Sequence, residues 1–240
     1  MATHTDNGGS AYGRKFTISR ENGTVAKDGR PFFFEWKKEI PANPAPNAKF
    51  ETRQKKNGEK AHYQLFSAIS GKLNGISREV KNLPDGPETW LVLHMADGAE
   101  QYMIEVGEID GRYSLDIMKR LLDPHFVPAE SLRLSPYAVT GTDGKVSIGL
   151  SAISGVDAKL SASRIDGPKS RKNPALAQMP EPETTEFKGK TMWDFTGVSE
   201  WLYRQLQEKV VPNLDFIAEP AAVVSGRPIE SPAVNDDLPF

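Results

Sequence analysis

Aromatic rings and cations crowd the N-terminal third of the chain. The stretch PFFFEWKKEI (31–40) is followed by RQKKNGEK (53–60), so phenylalanine, tryptophan, lysine and arginine fall within thirty residues of one another. Aromatic faces on which bases stack, beside cations that follow phosphates, are what binding a single nucleic-acid strand requires. Strand alternation places Phe32, Phe34 and Trp36 on one face and Phe33, Glu35 and Lys37 on the other, the first reading as core and the second as groove. Tyr63, Leu65 and Ile69 likewise fall together, while His62, Gln64 and Phe66 point the opposite way. Trp90 is out of phase with the apolar Leu91, Leu93 and Met95. Phe33, Phe66 and Trp90 are therefore the stacking candidates, and Lys37, Lys38, Arg53, Lys55, Lys56 and Lys60 the phosphate candidates. Asn57-Gly58 demands a tight turn, which makes RQKKNGEK a cationic hairpin tip. A second basic group, Lys159, Arg164, Lys169, Arg171 and Lys172, extends the path.

The charge distribution agrees with this pattern. Twelve Lys or Arg lie between Arg14 and Lys60 against six acids, whereas the last 25 residues carry Glu219, Glu230, Asp236 and Asp237 against Arg227 alone. One end of a nearly neutral chain is basic and the other acidic. A rival chemistry uses the same strand: Asp28 with Glu35 and Lys37 imitates the acids and lysine with which some nucleases hold Mg²⁺ and orient water. Other motifs fail. GTDGKV lacks the spacing and the Ser or Thr of a phosphate loop and reads as a hairpin turn. The four histidines are widely separated and cysteine is absent, so neither a metal centre nor a disulfide is expected, and no cofactor is called for. No nucleophile with a supporting base stands out, and the expectation is a protein without catalytic activity.

The elements that must position these residues are mostly strands. RKFTISR, PFFFEWK, HYQLFSAIS, TWLVLHM, EQYMIEV, SLRLSPYAV, KVSIGLSAIS and DAKLSASRI are short, β-branched or aromatic, and separated by Gly, Pro, Asn or Asp. TWLVLHM and EQYMIEV form the clearest hairpin. One helix interrupts the series at SLDIMKRLLDP, with Ser114 as its cap and Asp123-Pro124 as its stop. A mainly β core with one inserted helix is compatible with an OB-type barrel. The expected division is a flexible start over 1–12, a strand-binding domain over 13–166 and a linker or arm over 167–190. An amphipathic helix over 191–213 and a flexible acidic tail over 214–240 complete it. The helix rests on Val198, Trp201, Leu202, Leu206 and Val210 at helical spacing. Neither a membrane-length apolar run nor a secretory leader is present, so a cytoplasmic protein with no membrane partner is expected.

The acidic tail closes on Asp236, Asp237, Leu238, Pro239 and Phe240. It resembles the tip of bacterial and phage single-stranded DNA-binding proteins, which end in aspartates, an aliphatic residue, proline and phenylalanine. The resemblance covers only these five residues; the body lacks the bacterial family's N-terminal strand motif, which favours a phage origin and a bacterial host cell. It implies a protein that coats and protects single-stranded DNA during replication, recombination or repair and recruits partner enzymes through the tip. It leaves a homo-oligomer open. Physically, a terminal ring can enter an apolar pocket while its carboxylates meet basic side chains. A tail acting alone, as an adaptor, is the remaining alternative.

Overall fold

The structure, a computed structural model, describes residues 13–18, 31–54, 58–83, 86–141, 144, 146–167, 171–187 and 190–214. The protein is mainly β. Ten strands form one continuous hydrogen-bonded sheet: β1 (Arg14–Ile18), β2 (Phe33–Lys37), β3 (Lys49–Gln54), β4 (Lys60–Phe66), β5 (Ile69–Leu83), β6 (Gly86–Asp97), β7 (Glu100–Glu108), β8 (Ser131–Thr140), β9 (Val146–Ser154) and β10 (Ala158–Lys159). Their spatial order is β10-β9-β8-β5-β6-β7-β1-β2-β4-β3. Every pairing is antiparallel except β1 on β7. A separate hairpin joins β11 (Glu183–Phe187) to β12 (Lys190–Asp194); two α-helices, α1 (Arg112–Leu121) and α2 (Thr196–Lys209), and two single 3-10 turns (Pro174–Leu176 and Val211–Asn213) complete the regular structure among the described residues.

Alternation explains which side of the sheet closes. Phe16, Ile18, Phe33, Leu73, Ile76, Leu91, Leu93, Met95, Tyr102 and Ile104 are buried together on one face. The register shift between Leu73 and Gly75 returns Ile76 to the same face as Leu73 despite their odd separation. The helices seal this core. Leu115 and Met118 face it from α1 and Leu122 from the C-cap of that helix, and Val198, Leu202 and Leu206 from α2. α2 is fastened to β5 by Arg78, which pairs with Glu200 at 2.8 Å and lies 3.8 Å from the centre of the Tyr203 ring.

Several sequence expectations are corrected. Gly111, not Ser114, is the N-cap of α1; Ser114 is buried and its hydroxyl donates to the Gly107 carbonyl at 3.3 Å. The cap therefore satisfies no helix amide with a side chain. Asp123 does more than end the helix: its buried carboxylate accepts the amides of His125 at 3.0 Å and Ser161 at 2.6 Å, and pairs with Arg171 at 2.5 Å. Burial alone would raise its pKa, but these donors outweigh burial and hold it below the usual carboxylate range. Part of the stretch expected as a linker is anchored to the same corner. Asn173, fully buried, donates to the carbonyls of Lys119 and Ser161, and Leu176 and Met179 are buried behind it. Polar composition hid this anchorage because one asparagine and two apolar side chains suffice for it. β3 and the length of β5, whose second half is rich in charged and polar residues, were also unforeseen.

One close contact ties β7 to β5 across β6. β5 pairs with β8 over Ile69–Lys72 and with β6 from Lys72 onward, and at this switch the Tyr102 hydroxyl donates to the Ser70 carbonyl. A Cβ on Gly71 would collide with the Tyr102 hydroxyl and stand 2.7 Å from the Ala96 carbonyl oxygen. Gly71→Ala is expected to destabilise the protein by about 1–3 kcal/mol through overpacking. Gly197→Ala in α2, where nothing lies within 4 Å of the added carbon, is expected to be neutral or stabilising by up to about 1 kcal/mol. Chemical denaturation of the two variants beside the parent checks both; equal effects would refute the close-approach account.

Candidate nucleic-acid interface

The face opposite the core has two regions. In its middle it is closed by charge. Glu105 on β7 is buried and meets Lys15 at 2.5 Å, Lys81 at 2.7 Å and the Thr17 hydroxyl at 3.2 Å. The Lys81 ammonium also lies 3.6 Å from the centre of the Trp90 ring, whose indole nitrogen donates to Glu88 at 2.9 Å. Burial pushes the Glu105 pKa up, but the two ammonium groups push it down further, and it stays ionised below the ordinary range.

Toward β2, β4 and β3 the same face opens. Cross-strand register puts Trp36 opposite Tyr63, which is opposite Glu51, and puts Phe34 opposite Leu65, which is opposite Lys49. Directly opposed residues share a face, so Phe34, Trp36, Tyr63 and Leu65 form one apolar surface edged by Lys49 and Arg53. Trp36 is 58% exposed. Phe34 and Tyr63 meet edge to face with centroids 5.3 Å apart, and the Arg53 guanidinium lies 5.7 Å from the Tyr63 ring centre while pairing with Glu51 at 3.0 Å. Tyr63 itself is buried and Phe34 half-buried, so Trp36 is the open ring, held by strand backbone and backed by the other two at low entropic cost.

The alternation expected from the sequence is correct, but its inside and outside are exchanged. Phe33 is wholly buried and cannot stack a base; Phe34 and Trp36, assigned to the core, are the accessible rings, while Phe32 is buried as expected. Trp90 is 4% exposed and belongs to the closed region. Phe66 is half-buried, its ring 5.2 Å from Phe16 in an edge-to-face contact on the core side. The exchange has an electrostatic cause. Glu35 and Lys37 share the core face with Phe33 but lie past its apolar part, where the Glu35 carboxylate takes Arg14 at 2.8 Å and Lys37 at 2.9 Å. Burial raises the Glu35 pKa; hydrogen bonds and charge from Arg14 and Lys37 overcome this and lower it. A counted pattern of three apolar residues against one hid an ion-pair network at the rim. The partner that reveals it, Arg14, lies 21 residues upstream of Glu35.

The remaining candidates are dispersed. Lys38 and Lys60 are exposed, Lys60 on the rim side opposite Gln54 and Arg53 on the aromatic side. The structure thus brings only Arg53, among the named candidates, beside the exposed rings. Lys55, Lys56, Asp28 and the tip Asp236, Asp237, Leu238, Pro239 and Phe240 lie outside the described residues. Among the described residues no group of three or more His, Asp or Glu could hold a metal ion, and none of their helices is long and apolar enough to cross a membrane.

Glu105→Ala, which leaves Lys15 and Lys81 facing one another, is expected to cost on the order of 3 kcal/mol at pH 7. Because the folded pKa is depressed below the ordinary 4.5, this contribution is complete above that value and is lost as pH falls through the folded one. Urea denaturation of parent and variant at pH 7 and in acid checks the sign: the gap between them narrows below about pH 4.5, and a gap independent of pH would exclude the ionic account. Comparison of the chain with known protein families, curated proteins and solved structures finds no match.

Proposed function

We propose that this protein binds single-stranded DNA through the open face of β2, β4 and β3, coating the strand during replication, recombination or repair. The observation that carries the reading is Trp36, more than half exposed on a strand, flanked by Phe34 and Tyr63 and edged by Lys49 and Arg53. Rings accept any base and the cations take the phosphates, so binding is tolerant of sequence. A finer reading of the fold supports this use. β5, β6 and β7 form a three-strand meander, α1 follows, and the β8–β9 hairpin returns to the first half of β5, an order that fits an OB-type barrel. The resemblance of Asp236 to Phe240 to the tips of bacterial and phage single-stranded DNA-binding proteins adds the second half of the proposal: the tip recruits replication or repair enzymes. A phage-encoded protein acting in the cytoplasm of a bacterial host fits both halves.

Titration of fluorescent oligo(dT), with duplex DNA and RNA as competitors, tests the reading. Oligo(dT) is expected to win, and affinity to fall with salt at a slope set by the few exposed cations, roughly −2 to −3 for three or four phosphates on a single strand. Trp36→Ala is expected to weaken binding by about 1–3 kcal/mol without unfolding the protein. Phe33→Ala should instead destabilise the fold by about 3–5 kcal/mol. Equal affinity for duplex, or a Trp36→Ala variant that binds like the parent, would overturn the assignment. For the tail, Phe240→Ala is expected to abolish capture of host replication or repair enzymes while leaving the affinity for oligo(dT) within twofold. Capture that survives this change removes the recruitment role.

A further inference from the structure

The row of rings does not end at Phe34. Phe32, Phe34 and Trp36 alternate on one face, so their Cα atoms are spaced by about 6.6 Å, roughly twice the 3.4 Å per nucleotide of a stacked duplex strand. A strand following this row is therefore extended, with its bases unstacked. Exposure falls along it: Trp36 is open, Phe34 half-buried and Phe32 buried. At the buried end lies a cleft of about 390 Å³. Phe32 and Leu65 contribute to it from the aromatic face, and Pro136 and Tyr137 of β8 from the other side. Asn47 and Ser67 add polar groups, and Lys49, opposite Leu65 in the ladder, stands with them.

From this geometry we infer that the cleft receives one nucleobase of the bound strand, swung out beyond the Phe34 ring, while Lys49 holds its phosphate. The inference rests on the proposed function and names the substrate group that one part of the site takes. Three features support a base over other ligands. The volume sits at the small end of the roughly 300–1,000 Å³ of ligand pockets, suited to a single planar ring system. Its apolar walls include the rings of Phe32, just before β2, of Phe66 on β4 and of Tyr137 on β8, and aromatic faces are the surface a base face prefers. The Asn47 amide carries a donor and an acceptor side by side, the pair that an asparagine uses to meet a base edge bidentately. Lys49 belongs both to the edge of the open row and to the cleft, so one extended backbone path serves the two.

Pocket filling separates this from backbone binding. Ser67→Phe and Ala138→Trp, both at exposed positions bordering the cleft, are titrated with oligo(dT) and with a strand of equal length carrying no bases. Each variant is expected to lose at least fivefold in affinity for oligo(dT) and nothing on the base-free strand. Asn47→Ala, a smaller change at an exposed loop position, is expected to lose about threefold with the same selectivity and carries the test should a filled variant fail to fold. An equal loss on both strands, or no loss on oligo(dT), overturns the base pocket; in the second case sensitivity to salt and to Trp36→Ala leaves the proposed function standing. If the parent protein binds neither strand, both readings fall together.

Discussion

At Gly71 the backbone of β5 passes so close beneath Tyr102 that no side chain fits, and the strands on either side are packed around this approach. The Tyr102 hydroxyl takes the Ser70 carbonyl, and burial raises its pKa, so it remains a donor throughout the ordinary pH range. The contact falls where β5 exchanges β8 for β6 as its partner. A buried phenol must satisfy its hydroxyl, and here the carbonyl that accepts it lies two strands away in the ladder. The phenol meets that demand by reaching across β6, on the same side of the sheet as the core. The sheet thus has an inside, which Phe16, Phe33, Ile104 and the two helices fill, and an outside on which charge and aromatic surface must find other partners.

The outside is solved differently along its length. In the middle, Glu105 neutralises Lys15 and Lys81, and Trp90 is covered by the Lys81 ammonium. Such a cluster is costly to desolvate and is held together because each charge has an opposite neighbour. Toward β3 no such cluster forms among the described residues, and Trp36 is left exposed. Exposed single apolar residues are ordinary, but here the open indole of Trp36 continues into the half-buried Phe34 and is backed by the buried Tyr63. Closed charge and open aromatic surface on one face mark where a ligand can approach.

Much of this was legible in the sequence. Short β-branched and aromatic runs between turn residues located β1, β2, β4, β6, β7, β8, β9 and the two-residue β10, with the hairpin at Gly98, and helical spacing located α2 with Val198, Leu202 and Leu206 on its buried side. Alternation divides a strand into two faces without saying which is inside. For β2 the apolar count favours Phe34 and Trp36 as interior, and it fails because Glu35 and Lys37 reach a pairing partner, Arg14, from another strand. Long-range ion pairs have no local signature. The same limit hid β3, a strand of alternating charge held by its ladder to β4, and the anchorage of Asn173 beneath α1.

The pairing of cations bears on what kind of binding this surface can support. The basic balance of the N-terminal third counts Arg14, Lys15, Lys37 and Arg53, yet each of these has a carboxylate within 3.1 Å. A phosphate can attract such a cation only by displacing or sharing its partner, and the gain is the difference between two charge-assisted contacts rather than a whole one. In the proposed binding of single-stranded DNA, counterion release would therefore supply less of the affinity than the sequence count suggests, and the sequence-tolerant contribution of rings would supply more. Paired cations serve instead to hold the strands that carry Phe34, Trp36 and Tyr63 in register. A stacking surface must be rigid before a base arrives if it is to keep the energy of the contact, and ion pairs along its edges supply that rigidity.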